Sequence, residues 1–191
     1  MTAIDEHLQR WVVEHRVDVL DSPFIALSHV GSFGLVWLIA AAVGAVVWRR
    51  PEVLLLTTAA VVFADAAALA LKLFIERPRP YVRFPEQEPL LHTAFDYSLP
   101  SGHAATSFAA ATVLTRFAPR LGPAFFVLAA AVAWSRVYVG VHYPSDILLG
   151  ALLGTVIGAA LVWLEERTKP ARARRRPGAD PRRSPQRQPP G

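Results

Sequence analysis

Three short clusters carry the side chains able to do chemistry: Lys72 with Arg79-Pro80, then Pro100-Ser101-Gly102-His103, then Ser135-Arg136 with His142 and Asp146. The cations Lys72, Arg79 and Arg136 suit a phosphoryl group, because a guanidinium offers a planar fork of donors to its oxygens. Ser101 is placed to cap a helix, and with Gly102 it would leave backbone N–H groups pointing at the same anion. Blander readings exist: Ser101 only caps the helix, and Lys72 snorkels toward an interface. Lys72 and Arg136 nevertheless fall inside apolar stretches, where an ionisable group is costly and marks function.

The histidines supply the reaction. Pro144 suits a first helical turn, so His142 should sit just before a helix and Asp146 within its first turn. That carboxylate can accept a hydrogen bond from one imidazole nitrogen and leave the other free to attack phosphorus. His103, in the first turn of another helix, would be the complementary acid, protonating the departing oxygen and later activating water. His7, His15, His29 and His92 lack such company and are read as structural. Two histidines and an aspartate could instead hold zinc, but three cations in the same cluster would repel a dication. The expectation is no metal and no cofactor. Absence of cysteine removes disulfides, thiolate metal sites and cysteine nucleophiles.

The elements that must position these groups are apolar. The chain has 191 residues, 53% hydrophobic, a composition suited to a bilayer more than to water. Five apolar segments, Val30–Trp48, Val53–Ile75, Gly102–Phe117, Pro123–Val141 and Ile147–Leu164, approach the roughly 20 residues that cross hydrocarbon. The third is the shortest and depends on its neighbours to complete the crossing. The expected fold is all-α: an integral-membrane bundle of about five transmembrane helices in residues 30–164. Residues 1–29 are too charged to span, and apolar residues at 4, 8, 11, 12 and 19 predict an amphipathic helix along the membrane surface. Its alternative is an ordinary packed helix. Residues 165–191, proline-rich and basic, predict a disordered cytoplasmic tail rather than a nucleic-acid-binding one.

Basic residues alternate between segment ends: Arg49 and Arg50, then Arg116 and Arg120, then the tail. These ends should be cytoplasmic. The loops Glu76–Ser101 and His142–Asp146 then lie outside with the three clusters. Arg77, Arg79 and Arg83 run against that rule unless they serve another purpose, as Arg79 does. Asp65, two helical turns below Lys72, reads either as an interhelix contact or as a partner for a cation beneath the anion site.

The clusters resemble the type 2 phosphatidic acid phosphatase (PAP2) superfamily, whose signature is lysine, six residues, Arg-Pro; then Pro-Ser-Gly-His; then Ser-Arg, five residues, His, three residues, Asp. Every position has its match here, in order and spacing, over roughly residues 30–164. The resemblance implies His142 as a phosphohistidine-forming nucleophile, Asp146 as its partner and His103 as general acid. It implies Lys72, Arg79, Ser101, Gly102 and Arg136 as phosphate ligands, without metal; Ser135 matches with a less definite role. Many family members have six spanning helices against five here, and the short layout is similar to small bacterial members that resemble undecaprenyl pyrophosphate phosphatase.

The function expected is therefore a lipid phosphatase acting on a polyprenyl pyrophosphate, with membrane lipids around it and an outward-facing site in the cytoplasmic membrane. Phosphatidic acid, phosphatidylglycerol phosphate or a phosphorylated sugar-polyprenyl lipid are alternative substrates, since the motifs read the phosphate and ignore the lipid tail. An inactive lipid-binding scaffold would have no need of both histidines, and a haloperoxidase would need vanadate. Oligomeric state is not legible from the motifs.

Overall fold

The computed structural model describes residues 3–93 and 97–168; the basic tail beyond residue 168 lies outside it. The chain forms helices α1 (Ala3–Glu14), α2 (Asp18–Val30), α3 (Leu35–Val47), α4 (Glu52–Ile75), a single turn α5 (Pro80–Arg83), α6 (Gly102–Phe117), α7 (Gly122–Tyr138) and α8 (Pro144–Thr168). No strand occurs among the described residues, only an isolated bridge between Pro78 and Tyr97.

Helix α6 is the axis of the bundle. Its Ala104, Ala105, Ala109, Ala110, Ala111, Val113 and Leu114 have no exposed surface, enclosed by α4, α7 and α8. Small side chains let the neighbours approach. On α8, Gly150, Gly154 and Gly158 form a stripe at every fourth residue against the α6 backbone, and a Cβ at Gly154 would collide with the Ala105 carbonyl. Such stripes replace the hydrophobic drive that lipid cannot supply between helices. Trp37 of α3 is fully buried, and its indole N–H donates to Ser107 Oγ of α6 at 2.9 Å, so the buried donor is satisfied.

Large apolar side chains face outward on the outer helices: Leu55, Phe63 and Phe74 on α4, Val127 on α7, Leu148, Leu152 and Val156 on α8. An exposed belt of this extent is what lipid contact requires. By length and apolarity Glu52–Ile75, Pro119–Tyr138 and Pro144–Thr168 can each cross a membrane, and α2 with α3 forms a fourth, broken candidate bent by 61°. The predicted first span is thus not one straight helix. Gly34, at φ +68°, turns the chain between α2 and α3, a conformation only glycine adopts freely. The predicted third span, α6, has 16 residues, shorter than the roughly 20 that cross hydrocarbon alone, and is enclosed by α4, α7 and α8.

The N-terminal region is two helices rather than the one expected, broken at residues 15–17. In α1, Asp5, Gln9 and Val12 are buried, while Ile4, Leu8 and Trp11 are exposed. The apolar set read from the sequence is therefore split: Val12 packs inward beside two polar side chains, and the other three face away from the bundle.

Candidate active site

Four helix ends converge: the C-termini of α4 and α7 and the N-termini of α6 and α8. Ser101 N–H donates to the Asp146 carbonyl at 3.0 Å, tying the start of α6 to the first turn of α8. Ser101 also caps α6, its hydroxyl accepting from Ala104 N–H at 3.4 Å. After α7 the chain reverses at Gly140, φ +85°, which returns His142 beneath Arg136; the two are joined by His142 N–H to the Arg136 carbonyl, 3.2 Å.

His142 is held from both ring nitrogens. Nδ1 lies 3.3 Å from Asp146 Oδ2, and Nε2 lies 3.2 Å from Arg79 Nη1. A guanidinium only donates, so Nε2 is the acceptor and Nδ1 carries the proton given to Asp146. In that tautomer the Nε2 lone pair, which here accepts from Arg79, is the ring edge that can act as a nucleophile once the guanidinium turns to an anion. Burial, reinforced by the positive charges of Arg79, Lys72 and Arg136, holds the His142 pKa well below its ordinary value, so the imidazole stays neutral where a nucleophile must.

The cations surround this edge. Arg79, 4% exposed, donates to the Val141 carbonyl at 2.8 Å. Lys72 Nζ donates to the Pro100 carbonyl, one residue before Ser101, and Arg136 donates to the Ser28 hydroxyl. Lys72 and Arg136 are nearly buried, yet these partners are neutral oxygens. Buried cations without carboxylate partners favour an added anion. His103 Nε2 lies 3.2 Å from the Ser28 carbonyl and 3.4 Å from Ser32 Oγ. Every cluster residue meets at this site except Ser135, whose buried hydroxyl donates to the Val132 carbonyl of its own helix at 2.7 Å. Beside Pro100, an apolar groove of about 370 Å³ runs between α4 and α8, lined by Leu71, Ile75, Leu99, Leu149, Leu152, Leu153 and Val156.

Residues 52–170 match the PAP2 superfamily. The chain belongs to it. It is 39% identical, over 70% of this chain and 73% of the relative, to the decaprenylphosphoryl-5-phosphoribose phosphatase of Mycobacterium tuberculosis. Among solved structures it is similar to the PAP2-type phosphatidylglycerolphosphate phosphatase of Bacillus subtilis (28% identity, 87% of each chain, TM-score 0.72). It is also similar to LpxE of Aquifex aeolicus (27% identity, 85% of this chain and 96% of that one, TM-score 0.74). This PAP2 chain is accordingly a multi-pass membrane hydrolase of the lipid phosphatase family.

Sequence reasoning missed three residues of the PAP2 site. Ser28 and Ser32, at the α2–α3 bend, contact His103, and Ser28 also meets Arg136; nothing in their local sequence signals it. Arg77 donates to Asp146 Oδ1 at 2.6 Å. Its signal was the repeated Arg-Pro of residues 77–80, where charge alone had marked an exposed loop cation. Asp65 is exposed, with a carboxylate oxygen beside Gly102.

Proposed function

We propose that this PAP2 enzyme hydrolyses a polyprenyl pyrophosphate through a phosphohistidine on His142. The observation that carries the reading is the His142 ring held between Asp146 and Arg79, which presents Nε2 to the cluster of cations. The phosphoryl group sits among Lys72, Arg79, Arg136, Ser101 and the Gly102 N–H, with its developing charge stabilised by preset donors. His103 takes up a proton as the anionic substrate binds; Nε2 then attacks phosphorus, the phosphorus–oxygen bond to the polyprenyl phosphate breaks, and His103 gives that proton to the departing oxygen. Water then attacks the phosphohistidine, its proton returns to His103, the phosphorus–nitrogen bond breaks and inorganic phosphate leaves. Three cations stand where a divalent metal ion would otherwise neutralise charge, so the reaction runs without one.

The apolar groove beside Pro100 suits the lipid chain of the substrate, and the likeness to a mycobacterial phosphatase named for a decaprenyl lipid supports a polyprenyl one. That same likeness favours, as a second reading, a phosphate on a polyprenyl-linked sugar. The site faces the outside of the cytoplasmic membrane in this proposal, because the basic residues Arg49, Arg50 and Arg116 lie at the opposite helix ends.

Purified protein in detergent with chelator present should release phosphate from undecaprenyl pyrophosphate faster than from phosphatidylglycerol phosphate. His142→Ala should lower kcat by ~10⁴-fold or more, as loss of a nucleophile does. Faster release from a polyprenylphosphoryl phosphoribose selects the second reading, and activity surviving in His142→Ala refutes the histidine mechanism.

A further inference from the structure

The inward face of α1 meets the back of the site. Arg77 extends Nη1 to Asp146 Oδ1 at 2.6 Å and to Ser145 Oγ at 2.7 Å, and donates through Nη2 to Asp5. Asp5 in turn accepts from Ser145 N–H at 2.9 Å and from Ser145 Oγ at 2.6 Å. The guanidinium lies 4.1 Å from the Tyr143 ring centroid. Arg77 is 8% exposed, Asp5 6% and Asp146 fully buried. Asp146 spends its other oxygen, Oδ2, on His142 Nδ1 and on Tyr143 N–H at 2.9 Å. The two carboxylate oxygens are therefore divided: one fixed by Arg77, one aimed at the nucleophile.

Resting on the reading of His142 as nucleophile, we infer that Arg77 and Asp5 are positioning residues for the reaction, and that α1 is the element that supplies the outermost of them. Without Arg77, Asp146 keeps the Tyr143 amide and the Ser98 hydroxyl but loses the guanidinium that fixes Oδ1 and offsets its buried charge, so its hold on the His142 ring weakens. Without Asp5, Arg77 loses the anchor that sets its fork. Asp5 stays ionised for this purpose: burial alone would raise its pKa, but Ser145 and Arg77 outweigh it and hold the carboxyl below its usual range. The burial pattern of α1 fits the same explanation: Asp5 is turned inward to Arg77 and Ser145, while Ile4, Leu8 and Trp11 stay exposed.

The test compares wild type, Arg77→Gln, Asp5→Asn and the double variant in detergent. It reads kcat, KM and competitive inhibition by inorganic phosphate, which reports the cation cluster independently of the nucleophile. Arg77→Gln should lower kcat by about 10–100-fold, the range for a supporting contact behind an active-site group, with KM and the phosphate inhibition constant within about threefold. Asp5→Asn should fall in the same direction by less. The double variant should match Arg77→Gln alone, since both act through one contact chain. Unchanged kcat in both single variants, parallel loss of kcat and phosphate affinity, or multiplicative losses in the double variant would overturn the inference. If Arg77→Gln does not fold, Asp5→Asn decides by the same two readouts. Wild type inactive on every lipid, or His142→Ala still active, would instead strike the underlying reaction.

Discussion

At the scale of single residues, the site works by withholding protons and charges from solvent. His142 is buried and ringed by cations, so charging it is opposed from several sides. Its folded-state pKa lies below the unfolded value of about 6.5. As pH falls through that value the unfolded chain takes up a proton that the folded one refuses, and the contribution of this group to stability declines from there downward. The same depression keeps the neutral imidazole, the form the proposed attack requires, populated in mild acid. In selectively labelled protein, the His142 imidazole nitrogens should keep the neutral pattern from pH 8 to below about 6.5. A titration midpoint at or above that value would show that burial and the neighbouring cations do not act on the ring as its surroundings require. Ser101 shows how one side chain serves two ends. It caps α6, and its backbone N–H ties that helix to α8, so the amide donors near Gly102 are aimed by a contact that also joins the elements.

At the scale of elements, precision comes from helices that can approach closely. The glycine stripe of α8 sets its distance from α6, and through the Ser101–Asp146 contact it sets the separation of the two halves of the site. Gly154→Leu should be overpacked, since backbone rather than a flexible side chain fills the space. The expected cost is about 1–3 kcal/mol or more, seen as a lower melting temperature in detergent and a poorer yield of monodisperse protein. Val156→Leu, on the exposed side of the same helix, should leave both unchanged. If Gly154→Leu matches wild type, α6 and α8 do not pack through this stripe. The bend between α2 and α3 belongs to this scale too. Gly31 leaves room for Val132 and His103, and Ser28 and Ser32 on either side of it reach the His103 ring.

For the whole molecule, the alternation of helix directions puts the candidate site at one end of the bundle and Arg49, Arg50 and Arg116 at the other, where Arg116 pairs with Glu166 at 2.8 Å. Since the chain has no cysteine, a single introduced thiol reports orientation without background. Glu86→Cys, exposed in the loop after α5, should react with an impermeant thiol reagent on intact cells. Reaction only after lysis would place the site inside and reverse the assignment made from the basic residues. Gln87, its neighbour, is buried and would give a misleading negative.

The sequence by itself determined the enzyme class and the fold class. The candidate site residues fall in short motifs whose spacing follows local helix geometry: His142 and Asp146 are four residues apart across a helix start, and Ser101 to His103 share one first turn. Long apolar runs likewise require a membrane bundle whatever their mutual packing. Tertiary structure alone decided the tautomer of His142, the enclosure of α6, the broken path from α2 to α3 and the placement of Ser28. Each depends on residues tens of positions apart, and no local periodicity encodes which neighbour a helix face will meet. Asp5 is the sharpest case. The helical spacing of α1 groups Ile4, Leu8, Trp11 and Val12 as one apolar set, but hydropathy cannot tell that Val12 packs inward beside Asp5 and Gln9 while the other three stay exposed. That choice was made by Arg77 and Ser145, 72 and 140 residues further along the chain.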